Sequence, residues 1–303
     1  KISSLVTVKE NHLIQNYFNS LKNKSSAISL GIGDDCAEIK SSDTFLTSVD
    51  TSLSGTHFPE DLDPFYIAYR SLVVASSDIY AMGGIPHSFL LSITHPNPTD
   101  DWFKKFSSGS QEFINDYKVS IAGGDLTLGP LSISVTFFGN PLPRVLKRSS
   151  AKLKDSVYIT GKLGAGYQGL LKYRDYESDN QFLRPDVPKE LVAPLNPFVN
   201  ACIDISDGLV IDLERICSAS KVGAQIQYDK AFVFKGLEDL IRGDDYQLCF
   251  TANNKHHEQI KKISQDIFCI GKITDTNKVS VFDGDQEVNF KTKGWDSFSL
   301  KSY

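Results

Sequence analysis

The sequence predicts a mixed α/β (α+β) fold in two domains, and three observations lead there. The chain has 303 residues, 41% of them hydrophobic and 23% charged, enough apolar material for two cores of ordinary size. Apolar stretches with a two-residue period alternate with stretches whose apolar residues recur every three or four positions. A segment at 139–155, with Pro141 and Pro143 followed by a basic run to Lys154, reads as an interdomain connection. The expected domains are therefore 1–140 and 141–303.

In chain order, 44–49, 88–94 and 131–138 read as strands. Asp63-Pro64 opens a helix, with Asp63 as N-cap and a proline at the first helical position, after which Phe65, Ala68, Leu72, Ala75 and Ile79 share a face. A second helix starts near Thr99 and carries Trp102, Phe103, Phe106, Phe113, Ile114 and Tyr117 on one side, a stripe expected to be core. Past the connection come a strand at 156–160, a glycine-rich turn and helix at 161–173, and a polar loop at 175–197. A helix at about 207–221 and strands near 225–228, 246–251, 267–271 and 279–282 complete the second half.

Thirty-two Lys and Arg against 37 Asp and Glu give a net charge of −5, which offers no general attraction to nucleic acid or to an anionic membrane, so neither is expected as a partner. The five cysteines (Cys36, Cys202, Cys217, Cys249, Cys269) form no CxxC pair and mostly sit among apolar neighbours, so buried thiols in a reducing compartment are expected. No run approaches the length of a membrane span and no secretory leader is recognisable, so the expected location is the cytoplasm.

The acidic residues are the informative feature. Gly33-Asp34-Asp35, Ser48-Val49-Asp50-Thr51, Ser76-Ser77-Asp78, Gly123-Gly124-Asp125, Asp204-Ile205-Ser206-Asp207-Gly208 and Gly243-Asp244-Asp245 each place carboxylates beside Gly or Ser where an apolar element is expected to stop. Carboxylate oxygens suit Mg²⁺, which meets phosphates through one or two such ligands, and small neighbours let backbone N–H groups approach the phosphates. Phosphoryl transfer asks a protein for positioning and charge neutralisation, which a metal-bridged site supplies. Each pair taken alone also fits a turn or a helix cap, and Asp244-Asp245 in particular fits an exposed turn ahead of the 246–251 strand.

Other nucleotide chemistries are excluded. There is no GxxxxGK[ST] loop, no protein-kinase signature, no HExxH and no GxSxG elbow. Gly161-Lys-Leu-Gly164-Ala-Gly166 lacks the dinucleotide-loop spacing and fits a tight turn. His256-His257 reads as a solvated pair on a polar helix, which leaves His57, after Gly55-Thr56, as the histidine placed near a site.

In this order, Gly31-Ile-Gly-Asp-Asp-Cys-Ala37, Ser48-Val-Asp-Thr51, Gly55-Thr-His-Phe58, Ser77-Asp-Ile-Tyr-Ala-Met-Gly83, Gly123-Gly-Asp125, Arg148-Ser-Ser-Ala-Lys152, Asp204-Ile-Ser-Asp-Gly-Leu209, Gly243-Asp-Asp-Tyr246 and Gly294-Trp-Asp296 resemble the thiamine-monophosphate kinases. These belong to the aminoimidazole ribonucleotide synthetase-like superfamily, and the match runs from about Leu30 to Phe298. The resemblance implies a two-domain fold of that superfamily. Its N-terminal domain (1–140) would bind ATP and metal and contribute a sheet to a barrel shared by a homodimer. Its C-terminal α+β domain (141–303) would complete the nucleotide and substrate site. The implied reaction is direct in-line transfer of the ATP γ-phosphate to thiamine monophosphate, giving thiamine diphosphate. By the same resemblance Asp35, Ser48, Asp50, Asp78, Asp125, Asp204 and Asp207 would hold several Mg²⁺ ions, and Gly124, Asp125, Arg148 and Ser206 would contact ATP. His57, Asp244 and Trp295 would contact the acceptor, with Asp50, Asp125, Arg148 and Asp207 as the catalytic set. The family usually has Gly-Gly-Glu-Asp-Tyr-Glu where this chain has Arg242-Gly-Asp-Asp-Tyr-Gln247. Two alternatives stay open on the sequence: another ATP-using enzyme of the superfamily, and a non-catalytic Mg-nucleotide-binding protein.

Overall fold

The structure is a computed structural model that describes residues 13–21, 25–30, 38–40 and 44–295. The chain divides into two compact units, one of residues 1–79 and 85–140, the other of 80–84 and 141–303.

In the first unit a short antiparallel pair, β1 (Ile28–Leu30) and β2 (Glu38–Ile39), precedes β3 (Leu46–Leu53). Then α1 (Pro64–Ala81), β4 (Gly84–His95), α2 (Asp100–Tyr117), β5 (Ser120–Leu128) and β6 (Ser132–Pro141) follow. Asp63 caps α1 by accepting the Phe65 N–H at 2.9 Å. Thr99 caps α2 by accepting the Trp102 N–H at 3.3 Å, and Asp100 and Asp101 lie in its first turn, where acids complement the helix dipole. The α2 stripe is core at Phe103, Phe106, Phe113 and Ile114, with Trp102 and Tyr117 only partly covered.

Four strands form one sheet in the order β3-β6-β4-β5, with β3/β6 antiparallel and β4/β5 parallel. The two helices cover one face: the Phe113 ring meets Phe89 and Phe137, and Gly139 lies against Ile79. The register pairs Ser48 with Phe137, Asp50 with Val135 and Ser52 with Ile133, so three small or polar residues of β3 share the helix-covered face with three fully buried apolar ones. Val49, Thr51 and Leu53 take the open face. β3 therefore runs past the expected 44–49 through Asp50, which lies within the strand and not at its end. The strand β5 was not expected at all, because Gly123-Gly124 lowers strand propensity. The glycine is needed there: a Cβ on Gly124 would collide with the Leu91 carbonyl of β4. Asp125 likewise lies inside a strand.

The second unit contains β7 (Ser156–Ile159), α3 (Ala165–Leu170), α4 (Lys189–Leu195), β8 (Val199–Asp204), α5 (Leu209–Ser220), β9 (Gly223–Gln227) and β10 (Leu248–Ala252). It continues with α6 (His257–Ile263), β11 (Phe268–Thr274), β12 (Val279–Asp283) and β13 (Gln286–Val288). Seven strands form a sheet in the order β13-β12-β9-β11-β7-β10-β8, antiparallel except for β12/β9. Alternation along β7 explains its two covered faces. Val157 and Ile159 enter the cluster with Leu209, Leu213 and Ile216 of α5, while Tyr158 stacks on Phe250 and bonds His257 of α6 at 3.1 Å. His257 is thus packed and bonded, which corrects the expectation of a solvated pair. α4 falls in the segment expected to be loop, where Pro194 inside its two turns hid it. β8 was hidden by the polar Asn200 and Asp204 at either end of an otherwise apolar run.

Cys202, Cys217 and Cys249 are buried as expected; Cys269 is exposed, and Cys36 lies outside the described residues. Among the described residues no helix is long and apolar enough to cross a membrane.

Gly109 sits where α2 crosses α1, and a Cβ there would collide with the Phe65 carbonyl. Glycine to alanine inside a helix ordinarily stabilises by about 1 kcal/mol. Here the sign reverses, and Gly109→Ala should lower stability by about 1–3 kcal/mol in urea unfolding followed by circular dichroism; an unchanged or raised midpoint would show that the helices do not pack this closely.

Candidate active site

Two clusters of the expected residues form, one in each unit. In the first, the Ser48 hydroxyl of β3 donates to Asp78 Oδ2 of α1 at 2.5 Å. Asp50 lies two residues along the same face of β3, and its Oδ1 accepts the Thr51 N–H at 2.7 Å. Burial raises the Asp50 pKa and the charge of Asp78 raises it further, while the Thr51 N–H, His57 and Arg70 pull the other way. His57 follows a tight turn at Gly55 (φ 75°), closed by the Gly55 N–H on the Phe58 carbonyl at 2.8 Å. Its Nδ1 accepts the Leu53 N–H at 3.0 Å, so in the neutral ring Nε2 carries the proton and is a donor.

The other expected residues of this unit stand apart. Gly124 and Asp125 lie on β5, the opposite edge of the sheet from β3; Asp125 pairs in register with Ser92, and its Oδ2 accepts the Thr127 hydroxyl at 3.0 Å. Asp34 and Asp35 lie outside the described residues. Among the described residues no three His, Cys, Asp or Glu side chains gather closely enough to hold a metal ion.

In the second unit the strand-end residue Asp204 is buried and leads into Ile205-Ser206-Asp207-Gly208, the loop that opens α5. Arg215, two turns into α5, donates to Asp207 Oδ2 at 2.5 Å and also to Asp212 Oδ1. The other oxygen of Asp212 accepts the Asp207 and Gly208 N–H groups, each at 3.1 Å, and so caps its own helix from inside. The pKa of Asp212 is raised to about 6 by burial, against the pull of Arg215. Two further segments dock on this loop through three backbone bonds. The Asp244 N–H donates to the Ser206 carbonyl at 2.8 Å, the Tyr246 N–H to the Ile205 carbonyl at 2.9 Å, and the Trp295 N–H to the Asp207 carbonyl at 2.8 Å. Lys293, bonded to Glu214 at 2.5 Å, ties the Trp295 segment to α5. The structure thus brings Ser206, Asp207, Asp244 and Trp295 together at one loop. Arg148, in a single 3₁₀ turn at Arg148–Ser150, accepts the Ser220 hydroxyl through its carbonyl at 2.7 Å. Its side chain lines an open groove of about 470 Å³ with Ile211, Glu214, Arg215, Ser218 and Ala219.

Asp244-Asp245 is not an exposed turn. Asp244 adopts a left-handed backbone (φ 76°), and Asp245 is buried, accepting Gly164 N–H at 2.8 and 2.9 Å and Gly166 N–H at 3.2 Å. Burial pushes the Asp245 carboxyl up to about 8, although the glycine N–H groups pull it down. The glycine turn 161–166 therefore wraps a carboxylate of its own chain. Sequence reasoning missed this role of Asp245, and it missed Asp212 and Arg215; the only signal for the latter two was their three-residue spacing on a helix.

Several known proteins resemble the chain. Residues 33–140 match the family described as AIR synthase related protein, N-terminal domain, and residues 155–284 its C-terminal domain. The thiamine-monophosphate kinase of Buchnera aphidicola subsp. Acyrthosiphon pisum (strain APS) is 35% identical, over 95% of this chain and 98% of that protein. The crystal structure of thiamine-monophosphate kinase from Stenotrophomonas maltophilia K279a is 32% identical with a TM-score of 0.77, covering 84% of this chain and 91% of that one. The structure of AaThiL complexed with AMPPCP and TMP is 26% identical with a TM-score of 0.72, covering 94% and 96%.

The pKa of about 8 gives Asp245 a sign that can be tested. From the unfolded value near 3.8 up to about 8 the folded protein keeps a proton that the unfolded chain has lost. Stability should therefore fall as pH rises through that window, by up to about 1.4 kcal/mol per pH unit for one proton. Asp245→Asn should flatten urea-unfolding free energies between pH 5.5 and 8; the same slope in the variant would show that Asp245 is not the group responsible.

Proposed function

The chain belongs to the thiamine-monophosphate kinase family of AIR synthase related proteins, and from that premise we propose how its residues carry out the family's reaction. It transfers the γ-phosphate of ATP to the phosphate of thiamine monophosphate, giving thiamine diphosphate, by direct in-line displacement. The strongest support is the end-to-end match to kinases of that name, together with the similarity to a structure complexed with AMPPCP and TMP.

The first unit's donor set fits the metal. Ser48, Asp50 and Asp78 present hydroxyl and carboxylate oxygens only, the ligands that hard divalent cations take, and burial raises the Asp50 pKa. Asp35, Ser48, Asp50, Asp78, Asp125, Asp204 and Asp207 are the residues that would hold Mg²⁺. When bound, Mg²⁺ neutralises charge on the phosphates and orients them. Around it the chain's own groups act as follows. The Gly124 backbone allows close approach of the nucleotide, and Arg148 and Ser206 bind its phosphates from the groove and the loop. The Nε2–H of His57 and the Asp244 carboxylate contact the acceptor, and Trp295 covers its cationic ring by cation–π stacking. Asp50, Asp125, Arg148 and Asp207 hold the reacting phosphates in line, which is the main catalytic demand of such a transfer.

The same reading includes a homodimer. The open face of the first unit's sheet exposes Phe45, Val49, Leu53 and Leu90, with Val49 66% exposed. An apolar sheet face of this kind is costly in water and suits a second copy.

The purified chain incubated with ATP, Mg²⁺ and thiamine monophosphate should form thiamine diphosphate, detected by chromatography. Asp50→Ala should lower that rate by at least about 100-fold with the circular dichroism spectrum unchanged. ATP binding without turnover would overturn the kinase reading, and full activity in the variant would overturn the role of Asp50. Sedimentation should give twice the chain mass, and Val49→Glu should shift the distribution to monomer; a monomeric parent would remove the dimer from the proposal.

A further inference from the structure

Arg242 is a cation that the reaction as assigned does not use. Its guanidinium carbon stands 3.6 Å from the centroid of the Tyr167 ring. Its Nε is shut off from solvent and has no hydrogen-bond partner. Among the described residues no carboxylate lies within ion-pairing distance of it, in contrast to Arg215 with its two acids. A guanidinium is always charged and carries five donors, and stacking on an aromatic ring satisfies none of them. An apolar side chain would cover Tyr167 as well without hiding a donor. This guanidinium thus has no acid from the described residues and no acceptor at Nε, which leaves it open to an anionic partner from outside the chain.

The location says which partner. On one side of Arg242, Ile241 lies against Gly208; on the other, Gly243 is pressed on the Ser206 carbonyl, where a Cβ would collide. Both neighbours pin Arg242 to the Ser206–Gly208 loop. Tyr167 reaches the same place from α3, because the preceding Gly166 packs on the Asp244 carbonyl. Tyr167, Arg242 and Asp244 thus converge at the loop that carries Ser206 and Asp207. The acceptor is a zwitterion, with a cationic heteroaromatic ring at one end and a phosphate monoester at the other. Arg242 and Asp244, two residues apart, present the opposite pair of charges. A planar fork held flat on a ring suits the two oxygens of a phosphate and not the ring.

We propose that Arg242, backed by Tyr167, binds the phosphate of the acceptor, an inference that rests on the kinase reading above. It makes this side chain a determinant of selectivity for the phosphorylated acceptor over its dephosphorylated form. The nucleotide phosphates have Arg148 and Ser206, so loss of Arg242 leaves nucleotide affinity in place.

Isothermal titration of the full chain, with Mg²⁺ and a non-hydrolysable ATP analogue present, compares thiamine monophosphate with thiamine. In Arg242→Gln the affinity for thiamine monophosphate should fall about tenfold or more, while affinities for thiamine and for the analogue stay within about twofold. In turnover, KM for thiamine monophosphate should rise by a similar factor with kcat little changed. Arg242→Lys keeps the charge without the fork and should fall between the two, which covers the case of a Gln variant that folds poorly. Unchanged affinity for thiamine monophosphate in both variants overturns the inference and leaves the kinase reading standing. Equal losses for thiamine and thiamine monophosphate also overturn it, because they mark a packing role. A parent chain that binds the analogue but neither forms thiamine diphosphate nor prefers thiamine monophosphate overturns the kinase reading, and the inference falls with it.

Discussion

The second unit's site depends on one side chain, the guanidinium of Arg215 held between Asp207 and Asp212. Two carboxylates this close repel, and Asp212 is also buried, a combination that burial alone would make expensive. The shared cation offsets part of both costs. With its charge balanced, Asp212 is free to spend its second oxygen on the Asp207 and Gly208 N–H groups, which fixes the turn from β8 into α5. Every other segment of the site then docks on the carbonyls of that turn: Asp244 on Ser206, Tyr246 on Ile205, Trp295 on Asp207. Residues from two distant parts of the sequence are placed by backbone bonds to a single loop that an ion pair holds in shape.

The first unit handles the same repulsion differently. Asp78 is met by a hydroxyl, Ser48, and Asp50 by a backbone N–H, with His57 and Arg70 adding field but not neutralising it. The outcome is an Asp50 pKa raised mainly by burial, as burial also raises that of Asp212 despite its ion pair.

Much of this was legible in the sequence. Asp63-Pro64 and Thr99 marked both long helices through their caps, and the aromatic stripe of α2 proved to be core. The ordered motifs include Ser48, Asp50 and Asp78 of the first cluster and Ser206, Asp207, Asp244 and Trp295 of the second, but neither Asp212 nor Arg215. What escaped was set by long-range geometry. β5 was invisible because Gly124 serves a close approach to β4 that local propensity penalises. Asp50 looked like a strand-end residue because Ser48, Asp50 and Ser52 read as polar punctuation; only the register with buried Ile133, Val135 and Phe137 shows that they face the helices. Asp245 looked like half of an exposed turn because its partners, the Gly164 and Gly166 N–H groups, lie about eighty residues away. A carboxylate whose ligands are backbone amides leaves no signature in its own neighbourhood.

The departures of Arg242–Gln247 from the family's usual hexapeptide are adapted to their surroundings. Gln247 stands where Glu is usual; its Oε1 accepts the Thr160 hydroxyl at 2.9 Å while its Nε2 donates to the Asp186 carbonyl at 2.9 Å. A carboxylate could make the first bond but not the second, since it would set oxygen against oxygen, so the amide is the side chain that this site requires. Asp244 occupies a left-handed backbone position, which Asp tolerates better than most residues. Arg242 has Tyr167 beneath it. Gln247 and Arg242 are each matched by a partner elsewhere in the unit, whereas a segment drifting after loss of function would have no reason to keep such partners. The altered hexapeptide thus places one cation and one anion two residues apart beside the Asp207 loop.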